Sequence, residues 1–348
     1  MAMQRLPYNA PIDDYAAEAD ALLAEGQSAD HAQSLLSVAR FYDFQDWRRL
    51  EEYAASVQDA GGAVARFEFG VEAVINGDLG TLRELLADDP RLVRARSTRV
   101  NNADPPAHRS TLLHYVAANG VEGYRQRSPG NAAGIAALLL SKGADPNALS
   151  WAYGGRCTTL ALLVSSTPPA DAGVQVPLVD VLIDFGASML PMGDGAWTSP
   201  IETALVFGKH AAAQALVRRG APIQSLAAAA GLGYLEDVTR MLPGATDLDR
   251  HRALALAAQC GKAGVVRVLL DAGEDANRFN PPGAHAHSTP LHQAIAAGHL
   301  DVVKLLIDRG ARVDIKDTIH HGTPLGWANY CNQPVIAEYL KTLGAPPL

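Results

Sequence analysis

The stretch Thr289 to Asp317, TPLHQAIAAGHLDVVKLLIDRGARVDIKD, constrains the fold more than any other part of the chain. Thr289-Pro290-Leu291-His292 predicts a helix start, with Pro in the first turn, where its missing N–H breaks no intrahelical bond. Gly298-His299 closes that helix. A second helix over Leu300 to Asp308 carries Val302, Val303, Leu305, Leu306 and Ile307 as a wide apolar face. Gly310-Ala311 ends it, because Gly readily takes the left-handed conformation at a helix C-terminus. Asp317 falls in a turn, and Thr323-Pro324-Leu325 restarts the pattern 34 residues after Thr289. Units of this kind are stabilised by burying their apolar faces on their neighbours.

Aligning the chain on the Gly nine residues after Thr289 extends the pattern. Gly77, Gly120, Gly208, Gly233, Gly261 and Gly298 match, and Asn332 holds the place in the last unit. The starts are then Glu68, Thr111, Thr158, Ser199, Gln224, Arg252, Thr289 and Thr323, eight units spaced by 43, 47, 41, 25, 28, 37 and 34 residues. Because a helix pair has a fixed size, the excess must be loop. Four insertions enlarge the hairpin finger before a unit: 97–110, 147–157, 188–198 and 277–288. Two others, 119–131 and 165–176, split a helix pair. Long fingers towards both ends and short ones between them predict a cup, and Gln224 and Arg252 predict the least regular units.

The TPLH motif and its period resemble the ankyrin repeat, and the likeness runs from Glu68 to Leu348. STLLHYVAANGVEGYRQ, YGGRCTTLALL, NPPGAHAHSTPLHQA and DTIHHGTPLGWA resemble a bacterial subfamily. LLSVARFYDFQDWRRLEEY resembles a segment that precedes the repeats in such proteins, with Asp43 where that segment usually has Gly. The fold this implies is all-α: an ankyrin-repeat solenoid of about eight helix-pair units with long finger loops over 67–348, behind a small helical N-terminal cap over 1–66. Phe41, Phe44, Trp47 and Leu50 are expected to form the core of that cap. The resemblance implies a binding architecture and no particular activity.

The net charge of −8 and pI of about 5.7 argue against a nucleic-acid partner. Cys157, Cys260 and Cys331 are far apart without CxxC spacing, which fits a reducing cytoplasm. The N-terminus lacks the apolar stretch of a signal peptide, and no apolar run reaches membrane-spanning length. A soluble cytoplasmic protein is expected.

Histidine is the richest chemical signal. His285 and His287 alternate in AHAHS, so in an extended strand both imidazoles would share a face. His320 and His321 mark the tip of the next finger. Together the four make a candidate site for a divalent transition metal, with Asp314 or Asp317 as an added carboxylate. Exposed finger histidines also suit plain hairpin packing, a ligand contact, or acid–base work by His285 and His287. His114 and His292 hold the TPLH position, where the resemblance implies bonding to backbone between repeats; His114 is also a candidate acid–base group and His292 a candidate ligand contact. Trp151, Tyr153, Trp197 and Trp327 lie in or beside fingers, where large aromatics suit recognition or brace the fingers.

His114, Tyr115, Glu122, Tyr124 and Arg125 form a dense polar stretch around the first insertion. They read either as a ligand cluster, with Arg125 on an anion and Glu122 or His114 moving a proton, or as a Glu122–Arg125 pair holding the loop. No nucleophile elbow, zinc-protease helix, phosphate loop or kinase set is present. The expected function is recognition of a protein partner or small polar ligand. The alternative is a hydrolase, lyase or isomerase using His and carboxylate groups in a finger-lined pocket.

Overall fold

The computed structural model describes residues 5–195 and 198–347. Three helices come first: α1 (Ile12–Ala24), α2 (His31–Phe41) and α3 (Trp47–Gln58). Asp30 and Asp46 cap α2 and α3 by accepting from the backbone N–H of Gln33 and Arg49. Tyr15, Val38, Tyr42, Phe44, Leu50 and Tyr53 close into a core of their own, with Phe41 and Trp47 packed at its side. Asp43 takes φ +63°, the hand a Gly would take, and its carboxylate accepts from the backbone N–H of Tyr124. The substitution of Asp for Gly therefore keeps the turn and adds a tether.

Helices then follow in pairs: α4 (Ala63–Asn76) with α5 (Leu79–Asp88), and a 3₁₀ helix (Leu112–Ala117) with α6 (Ala132–Ser141). Next comes a hairpin of β1 (Leu149–Ala152) and β2 (Gly155–Thr158), antiparallel with Leu149 opposite Thr158. Its two-residue turn, Tyr153-Gly154, has both φ values positive, as a turn matched to strand twist requires. α7 (Thr159–Ser165) and α9 (Gln175–Asp184) follow, with the short α8 (Thr167–Asp171) in their connection; that helix explains why no Gly stands nine residues after Thr158. The remaining pairs are α10 (Pro200–Val206) with α11 (His210–Arg218), α12 (Leu226–Leu232) with α13 (Leu235–Met241), and α14 (Asp247–Gln259) with α15 (Ala263–Asp271). Then come α16 (Pro290–Ala296) with α17 (Leu300–Asp308), and α18 (Pro324–Tyr330) with α19 (Pro334–Thr342).

The chain divides into two compact units, residues 1–200 with 214–219, and residues 201–213 with 220–348. In the first, α4 packs on the 3₁₀ helix, which packs on α7, while α5 contacts α6 and α6 contacts α9. In the second, α12, α14, α16 and α18 pack in succession, and so do α13, α15, α17 and α19. Ala229, Ala253, Ala257, Ala294 and Ala328 are buried along the first row, where small side chains permit close approach. Val266, Leu269, Val303 and Leu306 fill the second.

Two unit starts differ from the sequence expectation. Ser225, not Gln224, caps α12 by accepting from Ala228, and α14 begins well before Arg252. Thr246 and Asp249 form a reciprocal capping box there, a Thr-x-x-Asp signal that the Gly-based alignment passed over. Both units are capped helix pairs like their neighbours, although α14, at 13 residues, is the longest helix of its row.

Candidate functional site

The polar stretch around the first insertion folds inward. The 3₁₀ helix stops at Ala118, whose φ of +53° turns the chain out of helical register. Asn119 then accepts from the backbone N–H groups of Val121 and Glu122, holding the turn that points Glu122 and Arg125 into the protein. Glu122 is 0% and Arg125 1% exposed. Arg125 Nη1 donates to Glu68 at 2.6 Å and to Glu122 at 3.1 Å, and its Nε donates to Glu72 at 3.2 Å. Tyr115 donates to Glu122 Oε1 at 2.7 Å and Tyr53 donates to Glu68 at 3.2 Å. His108 Nε2 lies 2.8 Å from the same Glu122 oxygen, close but not aligned as a hydrogen bond.

Arg99, also buried, lies over the rings of Phe44, Tyr53 and Tyr124, donates to the Tyr124 hydroxyl and donates to the Tyr42 carbonyl. Two guanidinium groups thus offset two fully buried carboxylates where α3, α4 and the insertion meet. Burial alone would raise the Glu122 carboxyl, but the Arg125 charge and the nearby His108 outweigh it and hold the group well below its ordinary value. Burial and the Glu122 charge push the Tyr115 phenol far up. The loop-holding reading of Glu122 and Arg125 matches this geometry, with the pair buried and not on the surface. Tyr53, Glu68, Glu72, Arg99 and His108 are the members that the sequence reading missed. Glu68 carried a signal, a lone carboxylate between Phe67 and Val71 on the buried face of α4; Arg99 and His108, in a loop, carried none.

His114 is a scaffold residue. Its Nδ1 accepts from the backbone N–H of Thr111, completing a capping box, and its Nε2 donates to the Ala148 carbonyl at 3.1 Å. Burial pushes its pKa down to about 3. His292 repeats the capping box with Thr289. Trp151 lies under the Arg156 guanidinium of its own hairpin, and Tyr153 lies against Gly120, so the two brace the finger at 147–157 and the insertion at 119–131. Trp197 lies outside the described residues.

The second set gathers at the last fingers. His285 and His287 do not share a strand face: His285 sits in a turn with φ +61° after Pro281-Pro282-Gly283, and the two rings lie at 85° to each other. His285 donates to the Val206 carbonyl. His287 instead lies beside Trp327, ring centroids 5.9 Å apart, and His292 approaches the same indole at 5.1 Å. A recess of about 390 Å³ is lined by His287, His320, Gly322, Gly326, Trp327, Tyr330 and Cys331. Tyr330, which the sequence reading missed, is 92% exposed. His321 is exposed in a turn at φ +53°. Among the described residues no group of three or more His, Cys, Asp or Glu side chains could hold a metal ion. The expected metal set of His285, His287, His320 and His321 is therefore not assembled: His285 turns to the Val206 carbonyl, while His287 and His320 line the recess.

Asp317 sits behind the recess and is buried. Its carboxylate accepts from the backbone N–H groups of Ile319, His320 and Gly322 and from the Trp327 indole N–H at 2.9 Å. Burial works against its charge, but the indole and the three amides prevail and hold it well below the usual carboxylate range. Burial, with His285 alongside, lowers His287 from its ordinary value. Gly326 takes the position that carries the capping imidazole in the units of His114 and His292, and it lines the recess without a side chain.

Successive capped helix pairs, with polar and aromatic fingers between them, define a helix-pair repeat protein. A model of ankyrin repeats in three copies matches residues 225–317 and 282–347. A human cyclin-dependent kinase 4 inhibitor B is 30% identical over 127 residues, 35% of this chain and 89% of that protein. The chain belongs to the ankyrin-repeat family. Mouse ankyrin repeat and SAM domain-containing protein 6 is 32% identical over 112 residues, 32% of this chain. The matched stretch spans only 12% of that relative's length. A putative ankyrin repeat-containing protein of Treponema pallidum is 28% identical over 162 residues, 47% of this chain and 46% of that protein. No helix among the described residues is long and apolar enough to cross a membrane.

Proposed function

We propose that this chain is a protein-interaction module of eight ankyrin units behind a helical cap at 1–66, and that the recess at Trp327 anchors its partner. The observation that carries this reading is the pairing of Tyr330, almost wholly exposed, with an open recess walled by Trp327, His287 and His320. Aromatic side chains beside a recess are the residues on which binding energy concentrates. The family supports it, since ankyrin repeats serve as protein-interaction modules, and the human relative is by its name an inhibitor of a kinase. The finger sequences resemble those of a bacterial subfamily, and the widely spaced cysteines favour a reducing cytoplasm.

Binding is favoured over catalysis because three of the four acid–base candidates are engaged within the fold, and His287 alone of them lines the recess. His114 is engaged at both ring nitrogens, Glu122 at both carboxylate oxygens, and His285 at the Val206 carbonyl. The test is capture of a partner by the full chain, purification of that partner, and titration of the two by calorimetry. A one-to-one complex weakened at least about tenfold by Tyr330→Ala is expected of a residue on which binding concentrates. A complex that Tyr330→Ala and Trp327→Leu leave unchanged would remove the recess from the interface.

A further inference from the structure

Resting on that reading of the recess, we infer that it receives the side chain of a Lys or Arg on the partner, held against the Trp327 and Tyr330 rings with the Asp317 carboxylate behind the indole. The electrostatics of the wall carry the choice of a cation. A ring attracts a cation through the negative charge of its π face, and Trp does so best. The Trp327 N–H donates directly to Asp317, so a fixed anion sits at the positive edge of that indole. Asp317 is itself buried and cannot be covered by solvent counterions. Of the residues lining the recess, none is Lys or Arg. Arg312, on the same finger, is already paired with Asp314 through two hydrogen bonds, at 3.0 and 2.9 Å.

Shape points the same way. Gly326, at the motif position where other units carry an imidazole, lines a recess of about 390 Å³, room for a side chain with a long aliphatic stem. Such a stem packs on apolar walls while its charged head finds the ring faces. A carboxylate in the same place would meet the Asp317 charge and electron-rich rings, and a neutral alkyl group would gain burial against the rings but nothing from the charge.

The test uses the full-length protein and four small probes: n-butylammonium, n-butylguanidinium, n-butanol and butyrate. The Trp327 indole N–H resonance, assigned through Trp327→Phe, reports occupancy by NMR. The two cations are expected to shift it at concentrations about fivefold lower than the alcohol, with butyrate inert. Equal response to ammonium and alcohol, a response to butyrate, or silence to all four probes overturns the inference. Tyr330→Ala should weaken the ammonium response by about fivefold as well. If the partner complex depends on Tyr330 while ammonium and alcohol behave alike, the cation inference fails and the docking surface stands. If the complex ignores Tyr330, it is the docking surface that fails.

Discussion

Arg125 Nη1 lies 2.6 Å from an Glu68 oxygen 57 positions earlier in the chain, with both side chains sealed from solvent. The contact joins an insertion that splits a helix pair to α4, and through the Tyr53 hydroxyl on the same Glu68 oxygen it reaches α3. An insertion that would otherwise cost only loop entropy thereby becomes the joint between the N-terminal helices and the first repeats.

Replacing Arg125 with Leu should cost about 3–5 kcal/mol, because Glu68 and Glu122 are left buried without their counter-charge. Urea unfolding followed by circular dichroism measures it. Adding Glu68→Gln and Glu122→Gln to the Arg125→Leu protein should recover part of the loss, since the uncompensated charges are then gone. A single variant as stable as the parent would mean that the cluster is neutral to folding.

The repeats were legible because period, capping and apolar face all depend on local sequence. The TPLH motif at 289–292, the C-terminal glycines and Asn332, which takes φ +54° in place of Gly, each announced a boundary. Where one signal was used alone the boundary moved: glycine alignment placed a start at Arg252, while the Thr246 and Asp249 capping box starts the helix earlier. Finger histidines were legible as a group and misread in geometry, because alternation implies a shared face only in a strand, and the backbone turns at His285 and His321. Trp327, His287 and His320 were each named as candidates, though not as one group; Tyr330 was not, since a lone Tyr at the end of α18 carries no local signal of its exposure. The interior cluster was half visible. Glu122 and Arg125 stood out as misplaced polarity, but their partners Glu68 and Arg99 lie far away in sequence and meet them only by packing.

Gly322→Ala probes the wall of the recess. A Cβ there would lie 2.9 Å from Trp327 Cδ1 and 3.0 Å from Asp317 Oδ2, so the indole or the carboxylate must move. Overpacking of this kind costs about 1–3 kcal/mol. The expected result is an upfield shift and faster solvent exchange of the Trp327 indole N–H, read by NMR, together with weaker partner binding. An unchanged indole resonance would show that the 317–322 turn absorbs the methyl group without strain.

Asp317 should also make this finger sensitive to acid. Its folded pKa lies below the unfolded value of about 3.9, so its contribution is complete above that value and is lost as pH falls through the folded pKa. Asp317→Asn keeps one acceptor oxygen and forfeits two of the four donors, at a cost of about 2 kcal/mol near pH 7. The gap between the two proteins should narrow steadily below about pH 4. Thermal unfolding at a series of pH values measures it, and a gap that stays constant into strong acid would show that the charge of Asp317 contributes nothing.

His114 gives the last prediction, and it separates scaffold from chemistry. With its pKa lowered to about 3 by burial, its imidazole stays neutral across the physiological range. The unfolded chain takes up a proton near pH 6.5, which the folded protein refuses until about pH 3. Stability from this site is therefore complete above about pH 6.5 and declines as pH falls between those two values. In NMR the His114 ring carbon resonances should stay flat from about pH 8 down to pH 5, while an ordinary exposed imidazole titrates across that range. A His114 that titrates near neutrality would mean that its Nδ1 bond to Thr111 and its Nε2 bond to Ala148 open readily, and would return it to the list of groups able to move a proton. A flat response, with His114→Gln costing about 1–3 kcal/mol in stability for the polar groups left unpaired, fits a residue that fastens one repeat to the finger of the next.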